Sequence, residues 1–362
     1  MQELLLEEGV ALASLTTLAV GGPARYLTRC GDAEALSRAL HWAQARQLPT
    51  FVLGGGSNLL VADRGFDGLV ICWIGQSLAF ETCGEQVRVR ANAGLSWDDL
   101  VRQTVAEGLA GVECLSGIPG QVGAAPIQNI GAYGQEVAQT IETVRVIDLG
   151  TGAARRIAGS DCGFGYRTSH FKRSWRGRFV VTGVDFLLPR SSRGSVLYPD
   201  LKKVFASPGQ TAVPSTRDVR AAVLRIRRSK SMVLDLQDPN RRSAGSFFTN
   251  PLVSPVVAGI IREQKPGRMP AFPTDDGRVK LSAAWLIEAA GFRRGDQLGR
   301  AGLSTRHVLA LVNRGRATAA EIVRLAARVR RSVRQAFGVT LQPEPVFLGF
   351  DRDVETLLDE AV

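Results

Sequence analysis

A glycine-rich stretch at residues 117–134 constrains the fold of this chain more than any other feature. It reads GIPGQVGAAPIQNIGAYG and mixes five glycines and two prolines with apolar residues. Disordered linkers are more polar than this, and ordered loops of this length in compact domains are usually functional. The stretch therefore predicts a loop that packs closely against a large flat ligand. Within it, Gln128 and Asn129 are expected to hydrogen-bond a ring edge.

A second glycine loop, GGGSN at residues 54–58, lies between two predicted strands. Consecutive backbone N–H groups in such a loop can bind an anion, and a diphosphate is the natural guest. A simple tight turn is the alternative. The loop lacks the Gly-Lys-Ser/Thr of a nucleotide-binding P-loop, and the chain contains no GxGxxG dinucleotide motif.

The composition is that of a globular protein with two or three domains. Of 362 residues, 45% are hydrophobic and 22% are charged, which excludes disordered, collagen-like and coiled-coil architectures. No apolar run approaches the roughly 20 residues of a membrane span. The first eight residues are acidic, unlike a secretory signal. The five cysteines form no CxxC pair, so we expect buried free thiols in a reducing cytoplasm. With only three scattered histidines, no metal site is expected.

The net charge of +11 indicates an anionic partner or a solvated arginine surface. Nucleic acid is one such partner, and nucleotides and phosphosugars are others. No recognisable nucleic-acid module accompanies the charge, which argues against nucleic acid.

Periodicity and capping signals predict an α+β chain in three pieces. Predicted helices cover 32–47, 96–108, 216–229, 254–264, 282–290 and a long segment from Thr318, where Thr318 and Glu321 form a capping box. Predicted strands cover 24–28, 50–53, 69–72, 86–91, 142–147, 179–187 and 307–313.

The segment RRSAGSFFTNP at 241–251 places small hydroxyl residues beside a glycine and two aromatic rings. A turn that enters a strand is one interpretation, and a serine presented to a substrate is the other. The segment is not the GxSxG elbow of serine hydrolases.

Six segments in register resemble the UDP-N-acetylenolpyruvoylglucosamine reductase family, the flavoenzymes that complete UDP-N-acetylmuramate for bacterial peptidoglycan. They are TTLAVGGPA at 16–24, the loops at 54–58 and 117–134, FGYRTS at 164–169, SAGSFFTNP at 243–251 and LQPE at 341–344. The resemblance covers residues 14 to 350. It implies an α+β fold with a two-part FAD-binding domain of the vanillyl-alcohol-oxidase-like type and a C-terminal α+β substrate-binding domain.

The resemblance implies four segments: FAD-binding subdomains at 1–75 and 76–230, a substrate-binding domain at 231–350 and an acidic tail at 351–362. FAD is expected to bind non-covalently, with contacts at Ala124 and Ala125 through the backbone alone. The cofactor-binding residues implied are Gly54, Gly55, Gly56, Ser57, Asn58, Gly117, Pro119, Gly120, Gly123, Ala124, Ala125, Gln128, Asn129, Gly131, Tyr133 and Gly134.

Three residues match the family's catalytic pattern: Arg167, Ser246 and Glu344. In the implied reaction NADPH reduces FAD, and a hydride then reaches the enolpyruvyl C3 of UDP-N-acetylglucosamine-enolpyruvate. The charge that develops on the adjacent carboxylate suits the forked guanidinium of an arginine. A protonated Glu344 is expected to donate to the same oxygens, and Ser246 to deliver the proton to C2.

The substrate contacts implied are Tyr166, Tyr198, Arg227, Lys230 and Asn250. Lys230 is expected at the UDP diphosphate, with Arg227 one helical turn before it. Tyr198 resembles a tyrosine on a mobile loop found in one of the family's two subtypes. The protein is expected to be a cytoplasmic monomer that acts in cell-wall synthesis, cell shape and cell division. An FAD-dependent oxidase or dehydrogenase on the same scaffold, with another substrate, is the alternative.

Overall fold

The chain divides into two units, and the computed structural model describes residues 4–206, 213–265, 267 and 269–361. The first unit comprises residues 1–10, 24–56 and 67–234, and the second comprises 11–23, 57–66 and 235–362. The chain therefore passes from one unit to the other five times, and one of these passages lies inside the 54–58 loop.

The strands of the described residues alternate with helices and turns along the chain. They are β1 (Glu7–Ala11), β2 (Pro23–Cys30), β3 (Thr50–Leu53), β4 (Leu59–Val61), β5 (Phe66–Trp73), β6 (Leu78–Cys83), β7 (Gln86–Asn92), β8 (Gly131–Ala132), β9 (Gln135–Glu136), β10 (Ile141–Asp148), β11 (Ala154–Ala158), β12 (Phe179–Pro189), β13 (Leu252–Val253), β14 (Ala271–Pro273), β15 (Val279–Leu281), β16 (Gln297–Leu298), β17 (Ala301–Leu303), β18 (Leu311–Asn313) and β19 (Val346–Leu348).

Of the eight α-helices described, six begin within one residue of their predicted starts, and the two at 199–204 and 354–360 were not predicted. The helices are α1 (Ala33–Gln44), α2 (Trp97–Ala106), α3 (Pro199–Val204), α4 (Thr216–Ser229), α5 (Pro255–Gln264), α6 (Ala283–Ala289), α7 (Ala319–Phe337) and α8 (Val354–Glu360). Short 3₁₀ turns cover Leu12–Leu15, Glu113–Leu115, Val122–Ala124, Val137–Gln139, Gly159–Cys162 and His170–Lys172. Among the helices described, none has the length and apolar composition needed to cross a bilayer.

The first unit contains two main sheets that share one hydrophobic core. One sheet has the order β1-β2-β5-β3, with β3 and β5 parallel, and the other has the antiparallel order β11-β10-β12-β7-β6. Leu36 and Ile71 of the first sheet region belong to the same core as Val89 and Phe186 of the second. This core fixes the ends of the strands from which the glycine loops emerge.

The second unit is built on the long helix α7. Two three-stranded antiparallel sheets, β13-β15-β14 and β16-β17-β18, accompany the parallel pair β19-β4. The capping box predicted at Thr318 and Glu321 is confirmed, because each side chain accepts the other residue's backbone N–H. Asp63 adds two further hydrogen bonds to this helix end, from the N–H groups of Ala319 and Ala320.

Most predicted elements are confirmed, but the strand predicted at 307–313 is wrong in its first half. Residues 307–310 form a turn, with the N–H of Ala310 donating to the carbonyl of His307 at 3.1 Å, and only Leu311–Asn313 is a strand. A short apolar run fits a buried turn as well as a strand. The prediction also omitted twelve of the described strands: β1, β4, β6, β8, β9, β11, β13, β14, β15, β16, β17 and β19.

The predicted segments are continuous stretches of chain, whereas each of the two units is made of three separate stretches. Residues 11–23 and 57–66, predicted in the first FAD subdomain, belong to the second unit. The boundary predicted after residue 230 lies close to the passage after residue 234. The boundary at residue 75 falls between the two sheets of the first unit, and their behaviour as separate subdomains stays a prediction.

The acidic end of the chain is not a separate tail. Residues 354–360 form α8, and two of its carboxylates bind Arg330 of α7, which is 3% exposed. Arg330 also donates to the carbonyl of Leu341. Asp359, one of the two carboxylates that bind Arg330, also pairs with the exposed Arg334. The acidic residues thus anchor the last helix to α7.

We expect Arg330→Met to destabilise the protein by about 2 kcal/mol, because it removes a buried hydrogen-bond donor. The loss is not larger because the half-exposed acidic partners of Arg330 can still be hydrated. The matched variant Arg334→Met should cost about 0.5 kcal/mol or less, since exposed ion pairs contribute little. Urea denaturation of both variants measures the difference. Equal midpoint shifts would contradict the role assigned to Arg330.

Candidate active site

The two glycine loops meet through their backbones within the first unit. A Cβ atom placed on Gly55 would lie 2.8 Å from the Cα of Gly120, and one on Gly54 would lie 3.8 Å from the Cβ of Ala124. Gly54, Gly55 and Ala124 are exposed. The result is an exposed surface almost free of side chains.

This surface fits the diphosphate of FAD. Within the described ranges, the backbone N–H groups of Gly55 and Gly56 donate no hydrogen bond to another protein group. Free N–H groups on a glycine loop are the donors that phosphate oxygens require. Gly55 and Gly56 are therefore suited to hold the cofactor by backbone contacts, whereas the N–H of Ala124 already donates to the carbonyl of Gln121 at 3.0 Å.

Asp98 holds the start of the long glycine loop. Its carboxylate accepts the N–H of Gly117 at 2.6 Å and a bidentate pair from Arg220 at 2.7 and 2.8 Å. Burial alone would raise the pKa of Asp98, but these bonds outweigh it and hold the pKa below its ordinary value. The sequence analysis missed this residue, because nothing local marks its link to Gly117.

Asn129 stabilises the loop from within. Its amide N–H₂ donates to Glu136 and to the carbonyl of Gly165, and its side-chain oxygen accepts the N–H of Ala138. These bonds engage the side chain of Asn129 that was expected to read a ring edge, and the ligand contact expected of Gln128 stays a prediction. Asn129 itself ties the loop to the turn that carries Arg167.

Arg167 reaches the same loop from a tight turn. Gly165 and Thr168 close the turn with two hydrogen bonds, and Arg167 occupies its tip with φ +54°. Its guanidinium donates to the carbonyls of Asn129 and Gly131 and lies 5.4 Å from the ring of Tyr166. A left-handed backbone conformation costs energy in a residue other than glycine, and such strain is typical of functional sites.

Tyr133 and Tyr198 pack edge to face, with ring centroids 5.5 Å apart. Burial raises the pKa of Tyr133 to about 12, so its hydroxyl keeps its proton at neutral pH. Tyr198 is 37% exposed. The structure therefore brings the predicted Tyr198 segment against the predicted FAD loop.

The two basic residues near the end of α4 have different surroundings. Lys230 pairs with Asp200 at 2.9 Å, which ties it to the helix that follows Tyr198. Arg227 donates to the carbonyl of Met232 at 2.7 Å, while its buried Nε has no partner among the described residues. Burial lowers the pKa of Arg227, although Tyr133 opposes the shift.

In the second unit, the Ser246 segment and Glu344 lie side by side. The backbone N–H of Glu344 donates to the carbonyl of Phe247 at 2.9 Å, and the side chain of Asn58 donates to the carbonyl of Glu344 at 3.2 Å. Phe247 and Phe248 are fully buried. They fix the half-buried Ser246 beside Glu344.

Two further side chains shape this region. Thr17 donates to the carbonyl of Ser243 at 2.6 Å, a contact that the sequence analysis missed although it quoted the surrounding motif. Asn250 accepts the N–H of Ala283 at 2.9 Å, so its side-chain oxygen holds the start of α6. The substrate contact expected of Asn250 stays a prediction.

We expect Gly55→Ala to weaken FAD retention, because its Cβ would force the two loop backbones apart. Gly259→Ala, on an open face of α5 with nothing within 4 Å of the new Cβ, is the matched control and should retain cofactor normally. The ratio of bound FAD to protein after gel filtration measures the effect. Full FAD content in Gly55→Ala would contradict the loop's role.

Comparison with known proteins agrees with this arrangement. The family model described as an FAD binding domain matches residues 24–158, and the model of the UDP-N-acetylenolpyruvoylglucosamine reductase C-terminal domain matches residues 237–348. The reductase of that name from Thermobifida fusca is 48% identical over 351 residues, covering 94% of this chain and 97% of its own. The one from Saccharopolyspora erythraea is also 48% identical, covering 94% and 95%.

A solved structure also matches along the whole fold. The UDP-N-acetylenolpyruvylglucosamine reductase of Thermus caldophilus has a TM-score of 0.64 and 28% sequence identity, and the match covers 96% of this chain and 100% of that one. The α+β fold class is confirmed. This chain belongs to the UDP-N-acetylenolpyruvoylglucosamine reductase family.

Proposed function

We propose that this protein reduces the enolpyruvyl group of UDP-N-acetylglucosamine-enolpyruvate with NADPH and thereby forms UDP-N-acetylmuramate for peptidoglycan. The observation that carries the proposal is 48% identity to named reductases over 94% of the chain. FAD, when bound, accepts a hydride from NADPH and passes it to the enolpyruvyl C3.

The side-chain-free surface of the two glycine loops holds the diphosphate of FAD in this proposal. Backbone N–H groups of Gly55 and Gly56 would bind its oxygens. The remaining cofactor contacts proposed from the family pattern, Pro119, Gln128 and Gly134 among them, would come from the 117–134 loop.

Arg167 stabilises the charge that forms on the substrate carboxylate. Its guanidinium already binds two carbonyls of the glycine loop, and these bonds fix its direction. A planar, permanently charged fork suits two carboxylate oxygens. Arg167 therefore acts by electrostatic stabilisation and gives up no proton.

Ser246 donates the proton to C2, and Glu344 in its protonated form donates a hydrogen bond to the substrate carboxylate. The backbone bond between Glu344 and Phe247 supports this assignment, because it keeps the two groups together within one unit. The carbanion-like centre is basic enough to take a hydroxyl proton from a serine in the right position.

Basic and aromatic residues of the first unit bind the nucleotide. Lys230 and Arg227 contact the diphosphate of UDP, and Tyr166 and Tyr198 lie along the sugar and enolpyruvyl groups. Asn250 is a further substrate contact proposed from the family pattern. Anionic ligands account for a basic protein, so the net charge requires no nucleic-acid partner.

We further propose that the protein is a monomer in the cytoplasm, where it serves cell-wall synthesis, cell shape and division. Five free thiols suit a reducing compartment. The alternative of an oxidase acting on another substrate is not favoured, because the named relatives are reductases across nearly the whole chain.

Anaerobic NADPH consumption by the purified protein tests the proposed function. We expect catalytic consumption only when UDP-N-acetylglucosamine-enolpyruvate is present. A flavin-loaded protein that ignores this substrate would contradict the proposed reaction.

We expect Ser246→Ala to leave flavin reduction by NADPH nearly unchanged and to slow flavin reoxidation by the substrate about 10³-fold or more, because only the second step needs the proton. Thr249→Val removes a hydroxyl from the same segment and is the control. Stopped-flow absorbance separates the two steps. Similar losses in both would remove Ser246 from its role.

We expect Lys230→Ala to raise KM for the UDP substrate about 10-fold or more with little change in kcat, because it binds a part of the substrate remote from the reacting carbon. The exposed Lys203 of α3 provides the control variant Lys203→Ala. Steady-state kinetics with varied substrate gives both constants. An unchanged KM for Lys230→Ala would place Lys230 outside the site.

A further inference from the structure

The carboxyl group of Glu113 is buried and holds three separate segments of the first unit. It accepts the N–H of Gly111 at 2.7 Å, the side-chain N–H of Gln135 at 2.9 Å and the N–H of Ser195 at 2.9 Å. Glu113 is only 1% exposed. A buried carboxyl is costly unless its oxygens find donors, and here all three donors are N–H groups of the chain.

The three segments are the two ends of the glycine-rich loop and the start of the Tyr198 segment. Gly111 precedes the loop, and Gln135 follows its last residue. The side-chain oxygen of Gln135 also accepts the N–H of Cys114 at 2.8 Å. The Cys114 thiol lies 3.5 Å from the carbonyl of Ser195. Glu113 and Gln135 together close the loop at its base.

The bond to Ser195 extends this clamp to the predicted substrate contacts. Three residues beyond Ser195, Tyr198 packs on Tyr133 of the glycine loop. A Cβ on Gly134 would lie 3.4 Å from the Cβ of Leu197, so the segment runs directly along the loop. Asp200, on the same segment, pairs with Lys230.

The segment also packs on α4 through apolar side chains. Leu201 and Cys114 share a small core with Val219 and Val223, and Val196 packs against it. This packing fixes the far end of the segment, while Glu113 fixes its entry. The position of Tyr198 relative to the glycine loop therefore depends on the Ser195 bond.

We propose that Glu113 is a positioning residue that sets the affinity for the UDP substrate by holding the Tyr198–Lys230 region against the cofactor loop. The inference rests on the proposed function, because Tyr198 and Lys230 are substrate contacts only there. In this role Glu113 acts on substrate binding and takes no part in the proton transfer assigned to Ser246.

The Glu113→Ala and Glu113→Gln variants test the proposal as a graded pair. Alanine removes every acceptor, whereas glutamine keeps one oxygen that can still accept from Ser195 and Gln135 and turns its N–H₂ toward Gly111. We expect at least a 10-fold rise in the Kd and KM of the substrate for alanine and a rise of about 2- to 5-fold for glutamine. The exposed Glu107 supplies the control Glu107→Gln.

Three readouts distinguish positioning from a general loss of structure. Because Glu113 also closes the cofactor loop at its base, flavin reduction by NADPH and FAD content should fall in the alanine variant by a smaller factor than substrate affinity, and both should stay within about 2-fold of wild type in the glutamine variant. Hydrogen exchange at residues 193–200 should be fastest in the alanine variant, slower in the glutamine variant and slowest in the wild type. If the alanine variant does not fold, the glutamine variant alone decides by the same measurements.

Unchanged substrate affinity in the alanine variant would overturn the proposal. If only the glutamine variant folds, unchanged substrate affinity together with unchanged hydrogen exchange in that variant would overturn it. Equal losses of FAD, flavin reduction and substrate affinity would overturn it as well, since they indicate a structural role only. Failure of the proposed function appears differently, as wild-type protein that does not consume NADPH with the substrate. Substrate binding, read from the flavin absorbance, still decides the role of Glu113 in that case.

Discussion

The close approach of Gly55 and Gly120 is the constraint on which the candidate cofactor site depends. Two loops far apart in sequence bring their backbones together only because neither carries a side chain at this point. The surface they form is suited to an anion, since backbone N–H groups can then point outward. The segments that carry Arg167 and Tyr198 contact the 117–134 loop, which itself contains Tyr133, and take their positions from it.

Local signals in the sequence predicted local structure well. Caps at Ser215, Ser254, Ser282 and Thr318 fixed the starts of helices, because a side-chain oxygen and a nearby N–H suffice to form them. The strand predicted at 307–313 failed where a buried turn has the same apolar composition as a strand. The short strands at 59–61 and 346–348 pair with each other across most of the chain, and no local pattern records that pairing.

The sequence proposes residues for the candidate site, but it gives no sign of the side chains that support them. Motif resemblance pointed to Arg167, Ser246 and Glu344, which are short-range features of their segments. Asp98, Glu113 and Thr17 act by hydrogen bonds to backbone groups of distant segments, and such partners follow only from the fold. A backbone N–H or carbonyl carries no residue type that a sequence reader could recognise.

The order of the chain through its two units bears on how the protein is made. Residues 11–23 and 57–66 belong to the second unit, whose remaining part begins only at residue 235. During synthesis these early segments leave the ribosome long before their partners exist, since β4 pairs with β19 near the end of the chain. The second unit therefore completes its fold only after nearly the whole chain has emerged, and no single continuous fragment contains it without the first.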